Sequence, residues 1–197
     1  MLPPRRFRLS LFLLCTALVA ACSPPAPTFK STDISGVDWG SGDFDLTAHT
    51  GKRMKASDFQ GKVVIMFFGF TNCPDVCPPT MAKLASLMKR LGDDAHRVQV
   101  LFVTVDPEHD TINKLAGFVP QFNPAFIGLT GTDKEIATVA SEYKVAYGKN
   151  PTNPAIVDHS TGILVKDPKG KLRLLVKNAV MVEDLEHDVR VLLNEKN

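Results

Sequence analysis

The sequence predicts an α/β domain with a mixed central β-sheet flanked by helices. Two apolar runs rich in β-branched and aromatic residues, Val63 to Phe70 and Val98 to Val105, read as buried central strands. Each is followed by apolar residues at helical spacing, as a strand–helix alternation requires. The chain then closes with a strand hairpin and an amphipathic helix, which mixes antiparallel pairing into the sheet.

The elements follow in order. Phe44–Thr47 and Arg53–Met54 flank Thr50-Gly51-Lys52, a hairpin forming an N-terminal extension of the sheet. Residues 62–70 form the first central strand and 79–90 the first helix, stopped by Gly92. After the strand over 98–105, Asp110 caps a helix over 111–119, and 125–129 is a short strand. Thr132-Asp133-Lys134-Glu135 has the form of a capping box and opens a helix running to about Tyr143. Strands over 162–165 and 172–176 are joined by Asp167-Pro168-Lys169-Gly170, a turn by composition. Residues 182–193 form the last helix. No internal repeat or second core is visible, so one domain is expected over residues 42–197.

The first 21 residues read as a signal peptide: Arg5, Arg6 and Arg8, then an apolar stretch over Leu9–Leu18, then Val19-Ala20-Ala21 before Cys22. The apolar stretch is shorter than the ~20 residues of a membrane-spanning helix. A cysteine behind small residues resembles a bacterial lipobox, so Cys22 is expected to be acylated, against an ordinary secretory signal with an incidental cysteine or an uncleaved anchor. Residues 22–41, with Pro24, Pro25 and Pro27, then form an extended tether. This places the chain in a bacterial cell envelope as a periplasm-facing lipoprotein, attached to the membrane by its lipid. Removing residues 1–21 takes away three arginines and no acids. The 23 Lys+Arg therefore become 20 against 21 Asp+Glu, a net charge near −1. With no basic stripe left, nucleic acid is excluded as a partner, and a monomer is expected.

Of the four cysteines, Cys15 leaves with the signal and Cys22 takes the lipid. Cys73 and Cys77 remain, at the junction between the first central strand and the first helix. Pro78 suits a first helical turn and sets Cys77 at the helix N-terminus, where the dipole favours thiolate. Three chemistries are open to such a pair: an inert disulfide, a redox couple or a soft-metal site. A loop of three intervening residues gains little stability from closure, which weakens the first.

The segment Phe68-Gly69-Phe70-Thr71-Asn72-Cys73-Pro74-Asp75-Val76-Cys77-Pro78 resembles the Cys-x-x-x-Cys signature of the Sco/SenC family of copper proteins. Val103–Thr111, with Asp106-Pro107-Glu108-His109-Asp110, resembles that family's strand-end motif, with His109 where Arg is usual. Val157-Asp158-His159-Ser160 resembles its ligand segment. The resemblance implies a thioredoxin-like fold and one copper ion, Cu(I) or Cu(II), bound by Cys73, Cys77 and His159. Soft thiolates suit Cu(I), and one imidazole completes a three-coordinate set. His159 also stands near where thioredoxin-like oxidoreductases carry a proline facing their cysteines. Asp75 and Asp158 are candidate outer groups, Asp158 as a hydrogen-bond partner of the imidazole or either as a turn residue. His49, His96 and His187 read as solvated, His109 as structural or as an outer group of the site, and Met66, Met81 and Met88 as core.

The function implied is copper delivery, or help in assembling the dinuclear copper centre of a respiratory oxidase. Its partners would be the oxidase's copper-centre subunit and other periplasmic copper carriers. The alternative is a thiol–disulfide oxidoreductase in which Cys73 and Cys77 are the catalytic pair and keep partner cysteines reduced. Peroxidase chemistry is disfavoured by Met66 where a proline is needed, and haem attachment by Pro78 after Cys77.

Overall fold

A computed structural model describes residues 28–37, 39, 42–153 and 156–195. From the N-terminus these form β1 (Thr32–Asp33), β2 (Asp45–Ala48), β3 (Arg53–Lys55), β4 (Val63–Gly69) and α1 (Cys77–Leu91). Then come β5 (Val98–Thr104), α2 (Ile112–Phe118), β6 (Ile127–Thr130), α3 (Asp133–Glu142) and the strands β7 (Tyr147–Lys149) and β8 (Val157–His159). The chain closes with β9 (Ile163–Lys166), β10 (Leu172–Val176) and α4 (Val182–Asn194). Among the described residues no helix is long and apolar enough to cross a membrane.

Among the described residues eight strands make one sheet in the order β1-β10-β9-β4-β5-β6-β2-β3, and β7 and β8 pair separately. β4–β5 and β5–β6 are parallel, and the other neighbours are antiparallel. Every residue of β4 and β5 is buried, as central strands covered on both faces demand. Successive side chains alternate between the faces. Phe67 meets Phe102, which meets Phe118, while Phe68 packs on Tyr143 at the end of α3.

Local signals hold where they are chemical. Gly92 ends α1 with a positive φ of 58°. Thr132 and Glu135 close the capping box of α3, with Glu135 N–H donating to Thr132 Oγ1 and Thr132 N–H to Glu135 Oε2. The β2–β3 hairpin extends the sheet through the pairing of Thr47 with Thr130.

Two expectations are corrected. Thr111, not Asp110, caps α2, accepting from Lys114 N–H at 3.3 Å. The Asp110 carboxylate is turned inward to other donors. The ordered domain also begins before residue 42. β1 pairs with β10 through Thr32 and Leu175, and Ile34 is buried. The Lys30 and Ser31 N–H groups both donate to the Asp188 carboxylate of α4 at 2.8 Å. A two-residue strand has no periodicity to read, and its partners lie far along the chain. Residues 1–27, including the signal and Cys22, lie outside the described residues.

Candidate metal centre

β4 ends at Gly69, whose carbonyl accepts from Val105 N–H at 2.9 Å and ties the ends of the two central strands together. The chain then turns, with Cys73 N–H donating to Phe70 O at 3.2 Å. α1 opens at Cys77, followed by two prolines in the first turn, where an N–H is not needed. Thr80 returns both its N–H and its hydroxyl to Val76 O. The result is two free thiols against the core, Cys73 7% exposed and Cys77 fully buried.

His159 reaches them from the β7–β8 hairpin, 82 positions beyond Cys77, where it pairs with Tyr147. Its Nε2 lies 3.9 Å from Cys77 Sγ. The ring stands edge-on to Phe70 and Phe67, with centroids 5.9 and 6.4 Å away. Nδ1 is 3.0 Å from the Ser160 carbonyl. A carbonyl only accepts, so Nδ1 carries the proton and Nε2 presents its lone pair to the sulfurs. One ligand atom from each of Cys73, Cys77 and His159 lies within 4.8 Å of the other two. Such a trio needs only small shifts to close on one ion at bond lengths of roughly 2.0–2.3 Å.

The electrostatics reverse one expectation. The helix N-terminus alone would make Cys77 the readily ionised thiol. Burial instead pushes its pKa up, with Cys73 and Asp110 adding to the rise and only a Phe70 backbone contact opposing it. Loss of water outweighs the helix dipole at a fully buried sulfur. A soft cation held by these ligands would supply the compensating charge. Burial likewise lowers the His159 pKa, against the Ser160 carbonyl and the Asp158 charge, so the imidazole is held neutral, as a ligand must be.

The two candidate outer groups, Asp75 and Asp158, are both exposed. Asp158 is exposed and accepts from Asn150 Nδ2 at 3.0 and 3.2 Å, while the ring is oriented by Ser160. Adjacent residues in a strand point to opposite faces, which carries Asp158 away from the ring. Asp75 is exposed beside Val76, Pro79 and Lys83. His109 bonds the buried Asp106 carboxylate at 2.9 Å. His49 is not simply solvated, since its Nδ1 accepts from Gly128 N–H at 2.9 Å. The methionines at 66, 81 and 88 are core residues. Gly69 and Asp110, both in contact with the site's framework, carry no ligand chemistry that spacing would reveal.

An α/β domain whose central strand ends on two buried thiols, met by an imidazole from a distant hairpin, is a thioredoxin-like metal-binding protein. The chain belongs to the SCO1/SenC family, whose model matches residues 33–194. It is 39% identical over 156 residues to the mitochondrial SCO2 homolog of Bos taurus, covering 77% of this chain and 59% of the relative. It thus spans less than two thirds of that relative's length. Copper-bound ScoI of Bradyrhizobium japonicum superposes with a TM-score of 0.70 at 33% identity, over 77% of this chain and 98% of that one. Apo Sco1 of Thermus thermophilus gives 0.75 at 34%, over 86% and 100%.

The mitochondrial relatives overturn the expected bacterial-envelope setting. The curated Sco proteins that the chain resembles are mitochondrial and point to mitochondria. The physical reason for the misreading is that an arginine-bearing, acid-free N-terminus is common to secretory signals and mitochondrial leaders.

Proposed function

We propose that this protein is a copper metallochaperone that binds one copper ion through Cys73, Cys77 and His159 and passes it on during assembly of the dinuclear copper centre of a respiratory cytochrome oxidase. The convergence of two thiols and one neutral imidazole within 4.8 Å carries this reading. The donor set fits Cu(I), which accepts two soft thiolates and one nitrogen, better than zinc, whose closed sites take four protein ligands. The copper-bound relative of the same fold supports it. Copper is cargo here. It leaves by ligand exchange, as donors on the receiving copper-centre subunit replace the sulfurs and the imidazole in turn.

The test is anaerobic titration of the reduced protein with Cu(I) under a competing chelator, alongside Cys73→Ser, Cys77→Ser and His159→Ala. One equivalent bound tightly, with affinity lost in each variant, is the expected result. Absence of tight binding, or a His159→Ala protein indistinguishable in affinity and spectrum, refutes the assignment.

A second use of the same sulfurs is favoured by their unequal exposure. Cys73 is the less buried thiol and Cys77 the fully buried one, an order that suits an attacking and a resolving cysteine. Cys73 thiolate would open a partner disulfide to a mixed disulfide. Cys77 would then displace the partner as a thiol, leaving the Cys73–Cys77 bond. Trapping a partner with Cys77→Ser, and rescue without copper, test it.

A further inference from the structure

Two loops meet beneath the cysteines, residues 70–76 after β4 and 105–111 after β5, and one carboxylate joins them. Asp110 is fully buried. Its Oδ2 accepts from the Thr71 backbone N–H at 2.9 Å and from Thr104 Oγ1 at 2.7 Å, and its Oδ1 accepts from the Thr71 hydroxyl. The direction of the Thr104 hydroxyl is set by a second bond. It accepts from Asp106 N–H at 2.9 Å, which leaves its own proton for Asp110. The turn carrying Asp110 is itself held, with Asp110 N–H on Asp106 O at 2.9 Å and Val105 N–H on Gly69 O at 2.9 Å.

Thr71 is where the metal loop leaves the sheet. It follows Phe70, whose ring faces His159 and whose carbonyl takes the Cys73 N–H, and it stands two residues before Cys73. A buried carboxylate served by three uncharged donors is costly, and a small apolar residue would fill the space without that cost. What the carboxylate adds is direction, since it fixes the Thr71 backbone and side chain together and locks both to the end of β5.

Resting on the copper-binding reading above, we propose that Asp110 is the positioning residue of the site: its bridge from Thr71 to Thr104 sets the place of Cys73 relative to Cys77 and His159 before metal arrives. Outer groups that orient metal ligands typically contribute 10- to 100-fold in affinity.

The test compares Asp110→Ala, Asp110→Asn and Thr71→Val in the whole protein. Cu(I) affinity is read by anaerobic competition, the Cys73–Cys77 midpoint potential without metal, and the thermal midpoint. Asp110→Ala is expected to lose about 10- to 100-fold in affinity. Asp110→Asn recovers most of it, because the amide oxygen still takes the Thr71 and Thr104 donors and the amide nitrogen donates to the Thr71 hydroxyl. Thr71→Val, lacking one bond, falls between. A merely structural role would make affinity follow the thermal midpoint across the series; positioning makes it follow the bonds to Thr71. A folded Asp110→Ala protein with wild-type affinity overturns the proposal. If Asp110→Ala does not fold, wild-type affinity in Thr71→Val overturns it. If the wild-type protein itself fails to bind Cu(I), the copper reading falls and the metal-free potential decides. A potential unchanged by Thr71→Val then overturns positioning, and a shifted one upholds it.

Discussion

Cys77 Sγ sits so close to the backbone of Gly69 that a β-carbon at position 69 would lie 2.7 Å from the sulfur. Phe102 and Phe67 ring atoms, at 3.0 and 3.2 Å, close the remaining space. The glycine at the end of β4 is therefore room for a thiol. Gly69→Ala is expected to force Cys77 outward, destabilise the fold by about 1–3 kcal/mol and weaken Cu(I) binding by roughly tenfold or more. Denaturant melts and copper competition measure both, and wild-type values in the two would refute this account of Gly69.

Asp158 tests whether the imidazole is steered by a neighbouring carboxylate or by the backbone. Its oxygens are engaged by Asn150, and the His159 Nδ1 proton goes to Ser160 O. Asp158→Asn should leave Cu(I) affinity within about threefold of wild type, below the usual effect of an orienting group. It should also lower the His159 pKa further, since the Asp158 charge raises it. NMR titration of the ring and copper competition check the pair, and a tenfold loss of affinity would restore Asp158 as an orienting group.

The metal-free protein should lose stability toward high pH. Burial raises the Cys77 thiol above its usual 9.0 and the Tyr143 phenol above its usual 10.0. The unfolded chain ionises at the usual values while the folded chain does not. Their contributions are therefore complete below about pH 9 and fall as pH rises beyond it. His159 acts in the other direction, its pKa being lowered from 6.5, so its contribution is present above pH 6.5 and declines on acidification. Chemical denaturation from pH 5 to 11 should show both flanks, and Cys77→Ser should flatten the alkaline one. Copper must displace the Cys77 proton, so Cu(I) affinity should climb about tenfold per pH unit for that proton.

Asp188 anchors the segment that precedes the expected domain start. Fully buried, it takes the Lys30 and Ser31 N–H groups and the His187 Nδ1. Asp188→Ala should cost about 1–3 kcal/mol and speed hydrogen exchange at residues 30–34. Copper affinity should be untouched, because this anchor bears on α4 and β10 and not on the metal loop. Unchanged exchange at 30–34 would show that β1 is held by its sheet pairing alone.

Most of the architecture is legible in one dimension because its causes are local. The runs at 63–69 and 98–104 are apolar since they are covered on both faces, and Thr132 with Glu135 and Gly92 mark helix ends by their own hydrogen bonds and φ. β1, β7 and β8 escape such reading, being two or three residues long and held by partners elsewhere. The N-terminal leader misled for a related reason: its composition serves more than one compartment.

The candidate ligand types, the spacing of Cys73 and Cys77 and, through three collinear motifs, the family are legible along the chain. The rest follows from how the chain packs. Packing brought His159 across 82 positions to 3.9 Å from a sulfur, put Ser160 O in place of Asp158 as the ring's partner, and turned Asp110 from a helix cap into the clamp of the metal loop. It also reversed the ionisation expected of Cys77, because a helix dipole is local and readable, whereas desolvation depends on everything that packs around the sulfur.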